Sequence, residues 1–204
     1  MPRPPRPLDP RRSEKLLRVA AAAFAADGLE GASLNDILNR AGMAKSSFYH
    51  RFSDKAALHD WVTTTMAGAV RAAIRPPDLG TLSGESFRPA VTDMLERFQL
   101  LAATRPDLMT LGMMFHNSAD APDERAIARV RVSAMTWIVD ALKIGRGLGV
   151  IRDDLPTELM SSWAVASLTA IDQWVLTASV DMDERSEVST RALDALWMLL
   201  APAA

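Results

Sequence analysis

Lys45, Ser46, Ser47, Tyr49 and His50 crowd five polar, hydrogen-bonding side chains into one short stretch. Their types suit recognition of an anion. Lysine neutralises a phosphate, serine hydroxyls reach phosphates or base edges, and tyrosine and imidazole can do either. Ser33, placed to open a helix, offers its hydroxyl and neighbouring amides to a phosphate, and Lys55 adds a cation at the start of a later helix. Catalytic chemistry is poorly served. There is no cysteine, and the three histidines, His50, His59 and His116, show no metal-ligand spacing on a helix. No glycine-rich phosphate loop or serine nucleophile elbow is present. No cofactor or metal is expected, although an all-helical enzyme remains the alternative from a different class.

The elements that must hold these residues read as helices. Ser13 is positioned to cap a helix over 14–27, with Leu16, Leu17, Ala20, Ala23 and Phe24 on one face and Asp27-Gly28 as its stop. Ser33 and Asp36 have capping-box spacing and open a helix over 34–41 that Gly42 ends. A helix over 45–52 follows, with Phe48 and Phe52 four apart and facing a core, and Ser53 caps another from 54 to 74. Pro76-Pro77 then interrupts the chain, so the domain boundary is placed near residue 74. Beyond it the expected helices span 85–104, 106–116, 122–145, 156–179 and 185–201. The fold expected is all-α, with about nine helices: a Pro/Arg arm over 1–11, a helix-turn-helix domain over 12–74 and a helical domain over 75–204.

Charge supports that division. The net charge of -2 splits into +5 for residues 1–75 (12 Lys/Arg, 7 Asp/Glu) and -7 for residues 76–204 (11 and 18). A basic end attracts phosphate backbones while an acidic remainder is repelled, which orients the molecule on a polyanion. Arg3, Arg6, Arg11 and Arg12 either track a minor groove as a flexible arm or belong to a tail with no such role. No apolar run is long enough to span a bilayer and no signal-peptide pattern follows the first arginines, so a cytoplasmic protein without a membrane partner is expected.

The stretch from Gly28 to Leu58, GLEGASLNDILNRAGMAKSSFYHRFSDKAAL, resembles the signature of TetR-like transcriptional regulators (TetR/AcrR) in spacing and order. Leu29, Leu38, Ala44 and Arg51 depart from the usual pattern; Ala44 removes the common serine cap of the recognition helix. The resemblance implies that Ser33, Lys45, Ser46, Ser47, Tyr49, His50 and Lys55 occupy DNA-contacting positions. It also implies a repressor that binds palindromic double-stranded operator DNA as a homodimer and is released by a small apolar or amphiphilic effector. A ligand-independent DNA-binding protein is the second alternative.

The remaining candidates lie in the second domain. Met94, Phe98, Met109, Met113, His116, Trp137 and Asp172 are the candidate effector residues, methionines being able to re-pack around different shapes. Plain core is the competing assignment for the apolar ones. Trp163, Ala170 and Trp174 on one late helix, with Leu193 and Trp197 on the next, are candidates for a dimerising four-helix bundle. An internal core would explain the same stripes.

Overall fold

Helix α1, Pro10–Gly31, begins where Asp9 accepts a hydrogen bond from the Arg11 N–H at 2.9 Å. Asp9 is therefore the cap, not Ser13. Proline at the first helical position costs nothing, because its missing N–H would be unpaired there in any case. Arg11 and Arg12, expected in the arm, are helical residues of the first turn, whereas Arg3 and Arg6 fall outside the described residues. The computed structural model describes residues 9–117, 125–178 and 181–202. Gly28, non-helical with φ 67° and ψ -178°, ends the first helical stretch where a stop was expected, and a separate turn beyond it carries the buried Leu29 as far as Gly31.

Helix α2, Leu34–Ala41, has the expected bounds: the Ser33 hydroxyl accepts from the Asp36 N–H at 3.4 Å, and Gly42 closes it in the left-handed conformation. Helix α3, Lys45–Tyr49, is shorter than expected and has no side-chain cap at Ala44. Helix α4, Lys55–Ile74, is capped by Asp54, whose carboxylate accepts from the Ala57 N–H at 2.7 Å; Ser53 serves only by donating to that carboxylate. At its far end Arg97 donates to the carbonyls of Ile74 (2.9 Å) and Arg75 (3.3 Å), satisfying acceptors that the helix leaves open.

A short 3-10 turn, Leu79–Thr81, lies in the proline-rich linker, where no element was expected. It precedes α5 (Gly84–Thr104), α6 (Pro106–Asn117), α7 (Arg125–Gly147), α8 (Thr157–Thr177) and α9 (Met182–Leu200). Among the described residues there are nine α-helices and no strand, the all-α architecture expected.

The chain divides into two compact units. One comprises residues 1–69 and 107–130, the other 70–106 and 131–204. In the first, Leu16, Phe24, Ile37, Leu38, Phe48, Leu58 and Val62 are buried. The Phe48 and Phe52 rings lie 5.4 Å apart, and Phe52 meets Trp61 at 5.6 Å. Within this unit the Asp60 carboxylate accepts from the Ala126 N–H at 3.1 Å and lies 3.8 Å from Arg129, which ties the start of α7 to α4. In the second unit Phe87, Leu142, Ile151, Met160, Leu196 and Leu200 form the core.

Candidate nucleic-acid interface

Phe48 is the anchor that aims α3. Its ring is fully buried, while Lys45, Ser46, Ser47, Tyr49 and His50 are all exposed and Tyr49 keeps 59% of its surface open. A five-residue helix cannot be stable alone, so the two phenylalanines hold it by tertiary packing and leave the polar side chains facing outward. Gly42, with φ 68° and ψ 35°, allows the tight turn from α2 into α3 that few other residues would accept.

Two cations near this surface have partners within the chain. Lys55 donates to the carbonyls of Glu30 (2.9 Å) and Ala32 (3.0 Å), so it pins the connection between α1 and α2 and keeps one of its three N–H donors. Arg40 pairs with Asp36 at 3.3 Å along α2. Ser33 is exposed while it caps α2. The arrangement can dock a polyanion and carries no acid, base or nucleophile constellation. Among the described residues no cluster of His, Cys, Asp or Glu could hold a metal ion.

The departures from the usual pattern show their physical effect here. Leu29 and Leu38 are buried and therefore serve packing. Ala44 leaves α3 without a side-chain cap.

Residues 16–60 match the family model for bacterial regulatory proteins of the tetR family. The N-terminal segment is thus of the tetR-family type. Its helix-turn-helix is α2, Gly42 and α3, inside the matched segment. The whole chain is similar in fold to a TetR-like transcriptional regulator from Rhodococcus sp. RHA1 (16% identity, 94% of this chain and 98% of that chain, TM-score 0.67). A ketosteroid transcriptional regulator, KstR2 of Mycobacterium tuberculosis, is similar at 21% identity over 96% and 97% of the two chains, TM-score 0.65. So is the transcriptional regulator FadR from Bacillus subtilis in complex with stearoyl-CoA, at 17% identity over 90% and 97%, TM-score 0.65. No curated protein sequence matches as a relative. The TetR-family fold therefore extends over nearly the whole length.

The other candidate residues have separate surroundings. Met94 is buried, Phe98 half-buried and Met113 exposed, while Trp137 packs on the core of the second unit. The side chains of Met109, His116 and Asp172 lie outside the described ones. The open apolar surface of α7 belongs to residues that the pattern did not single out: Val132, Met135 and Val139 line a shallow concavity with Thr136, bordered by Arg131, Asp140 and Lys143.

On α8, Ala170 is exposed and Trp163 and Trp174 half-buried. On α9 the geometry differs from the expected stripe. Leu193 is half-buried, and Trp197 packs on the core, its ring 6.4 Å from that of Phe87 and 5.5 Å from the Arg88 guanidinium. Leu196 and Leu200 are core residues too, so the outward apolar side chains are Met198 and Leu199.

Proposed function

We propose that this chain is a ligand-responsive transcriptional regulator, in repressor form, that binds palindromic operator DNA as a cytoplasmic homodimer and releases it when a small apolar or amphiphilic effector binds. The observation that carries this reading is the division within α3: a fully buried Phe48 fixes the helix, and every polar residue around it is exposed. Residues 12–74 read the DNA, with Lys45, Ser46, Ser47, Tyr49 and His50 on the groove side and Ser33 and Lys55 near the backbone. Residues 75–204 bind the effector and dimerise. A single short helix reads few base pairs, which makes a symmetric pair over two half-sites the economical solution.

The small exposed Ala166 and Ala170 on α8, with Met198 and Leu199 on α9, support a close helix pairing between two copies. For the effector, the apolar floor and charged border along α7 suit an amphiphile. The neighbours named for ketosteroid regulation and for a stearoyl-CoA complex make steroids and acyl thioesters the first probes. The effector acts by preferring a conformation whose two recognition helices are mis-spaced for the half-sites.

Selection of bound sequences from random duplexes tests the reading. A palindromic consensus with steep salt dependence is expected, and Lys45→Ala and Tyr49→Ala should each bind it poorly while folding normally. If both variants bind at full affinity, α3 is not the reading surface. If steroid and acyl-CoA probes bind to saturation and leave operator affinity unchanged, the coupling is wrong while the DNA reading stands.

A further inference from the structure

Arg11, Lys15 and Arg18 follow one another along α1 at spacings of four and three, and all three are exposed. At 3.6 residues per turn these positions fall within about 60° of arc, and at 1.5 Å per residue the row is about 10 Å long. Its middle member has a definite place. A β-carbon built on Gly42 would meet the Lys15 ammonium nitrogen at 3.8 Å, which sets that charge against the turn joining α2 to α3. Among the described residues the three side chains make no hydrogen bond or ion pair, whereas Arg40, Arg97 and Arg152 are each tied to a carboxylate of their own chain. Between residues 10 and 18 the only acid is Glu14, against four basic residues with Arg12 included.

We infer that this row is a second DNA contact, made outside the helix-turn-helix and independent of base sequence: α1 lies along one strand of the duplex and grips its phosphate backbone, with Lys15 holding the phosphate nearest the recognition helix. A row about 10 Å long sets its charges beside neighbouring phosphates of one strand. Its position fits the same partner, because Lys15 stands at the turn from which α3 enters the groove. The inference rests on α3 being the reading helix, and the test keeps the two claims separate.

Fluorescence anisotropy on a labelled mixed-sequence duplex and on the selected palindrome, each over about 50 to 200 mM salt, measures the slope of log affinity against log salt. Replacing Lys15→Gln should flatten that slope by about 0.9 per bound protomer, and the combined Arg11→Gln, Lys15→Gln and Arg18→Gln variant by about two to three, at 0.9 for each phosphate lost. Both duplexes should weaken by the same factor. A charge-preserving variant, Arg11→Lys with Lys15→Arg and Arg18→Lys, should keep the wild-type slope. Circular dichroism and elution volume should be unchanged throughout, since the row is exposed.

An unaltered slope in the glutamine variant, while Lys45→Ala still loses the palindrome, would overturn the backbone contact and leave the reading helix intact. Weakening confined to the palindrome would overturn it as well, because a phosphate contact is blind to sequence. A wild-type protein that binds neither duplex would overturn both claims.

Discussion

Phe48 and Tyr49 are neighbours in sequence and opposites in environment, the first fully buried and the second more than half open. Truncating them should separate folding from recognition. Phe48→Ala should lower unfolding free energy by about 3–5 kcal/mol in a urea titration, through lost burial and the cavity left behind. Tyr49→Ala, which loses only the edge contact of its ring with Phe48, should shift that titration by no more than about 1.5 kcal/mol while reducing operator affinity. Asp54 makes a pH-dependent contribution. Its carboxyl is held below the ordinary carboxylate range by the Ala57 N–H and then by the Ser53 hydroxyl. The unfolded chain therefore takes up the proton more readily, so the stabilisation is complete above the ordinary range and is lost as pH falls through the lowered value. Asp54→Asn should flatten the acid limb of a stability-against-pH curve and leave neutral stability nearly as it was, asparagine being an equally good cap. The Arg152–Asp154 pair, whose carboxyl is likewise lowered by its hydrogen bond to Arg152, should retain its share of that limb in the variant.

Helix packing supplies a different kind of prediction. A β-carbon on Gly145 in α7 would stand 2.6 and 2.8 Å from Ile151 atoms and 3.0 Å from the Phe87 ring, so Gly145→Ala should destabilise the second unit by about 1–3 kcal/mol despite alanine's better helix propensity. Asp60→Ala should release the first turn of α7 from α4 and raise hydrogen exchange near Ala126, while Arg129→Ala, whose side chain is mostly exposed, should do much less. Local signals made much of this level legible. Ser33 and Gly42 punctuate α2 at both ends, and Phe48 with Phe52 marks the inner face of α3. The sequence misled where a residue has two uses. Pro10 reads as a breaker but suits a first turn. Approaches between distant positions, Lys15 beside the Gly42 turn or Asp60 bonded to Ala126, leave no periodic trace at all. On α9 two apolar stripes lie side by side, and hydrophobicity alone cannot say that Leu196, Trp197 and Leu200 turn to the core while Met198 and Leu199 turn out.

For the molecule as a whole, that last distinction decides how dimerisation should be tested. Met198→Glu with Leu199→Glu should give a helical monomer by sedimentation, whereas Leu200→Ala should cost about 2–5 kcal/mol of folding whatever the assembly state. The split charge belongs to this scale too. A basic N-terminal part and an acidic remainder permit one orientation on DNA, so added salt should weaken binding without disturbing an apolar dimer contact. The last turn of a helix ordinarily frays, but α9 ends differently. The Arg152 N–H donates to the Leu200 carbonyl at 2.9 Å, and its guanidinium reaches the Leu199 carbonyl at 3.3 Å. The backbone beneath Met198 and Leu199 is thus held in an isolated protomer, and two copies meeting there would have only side chains left to order on association.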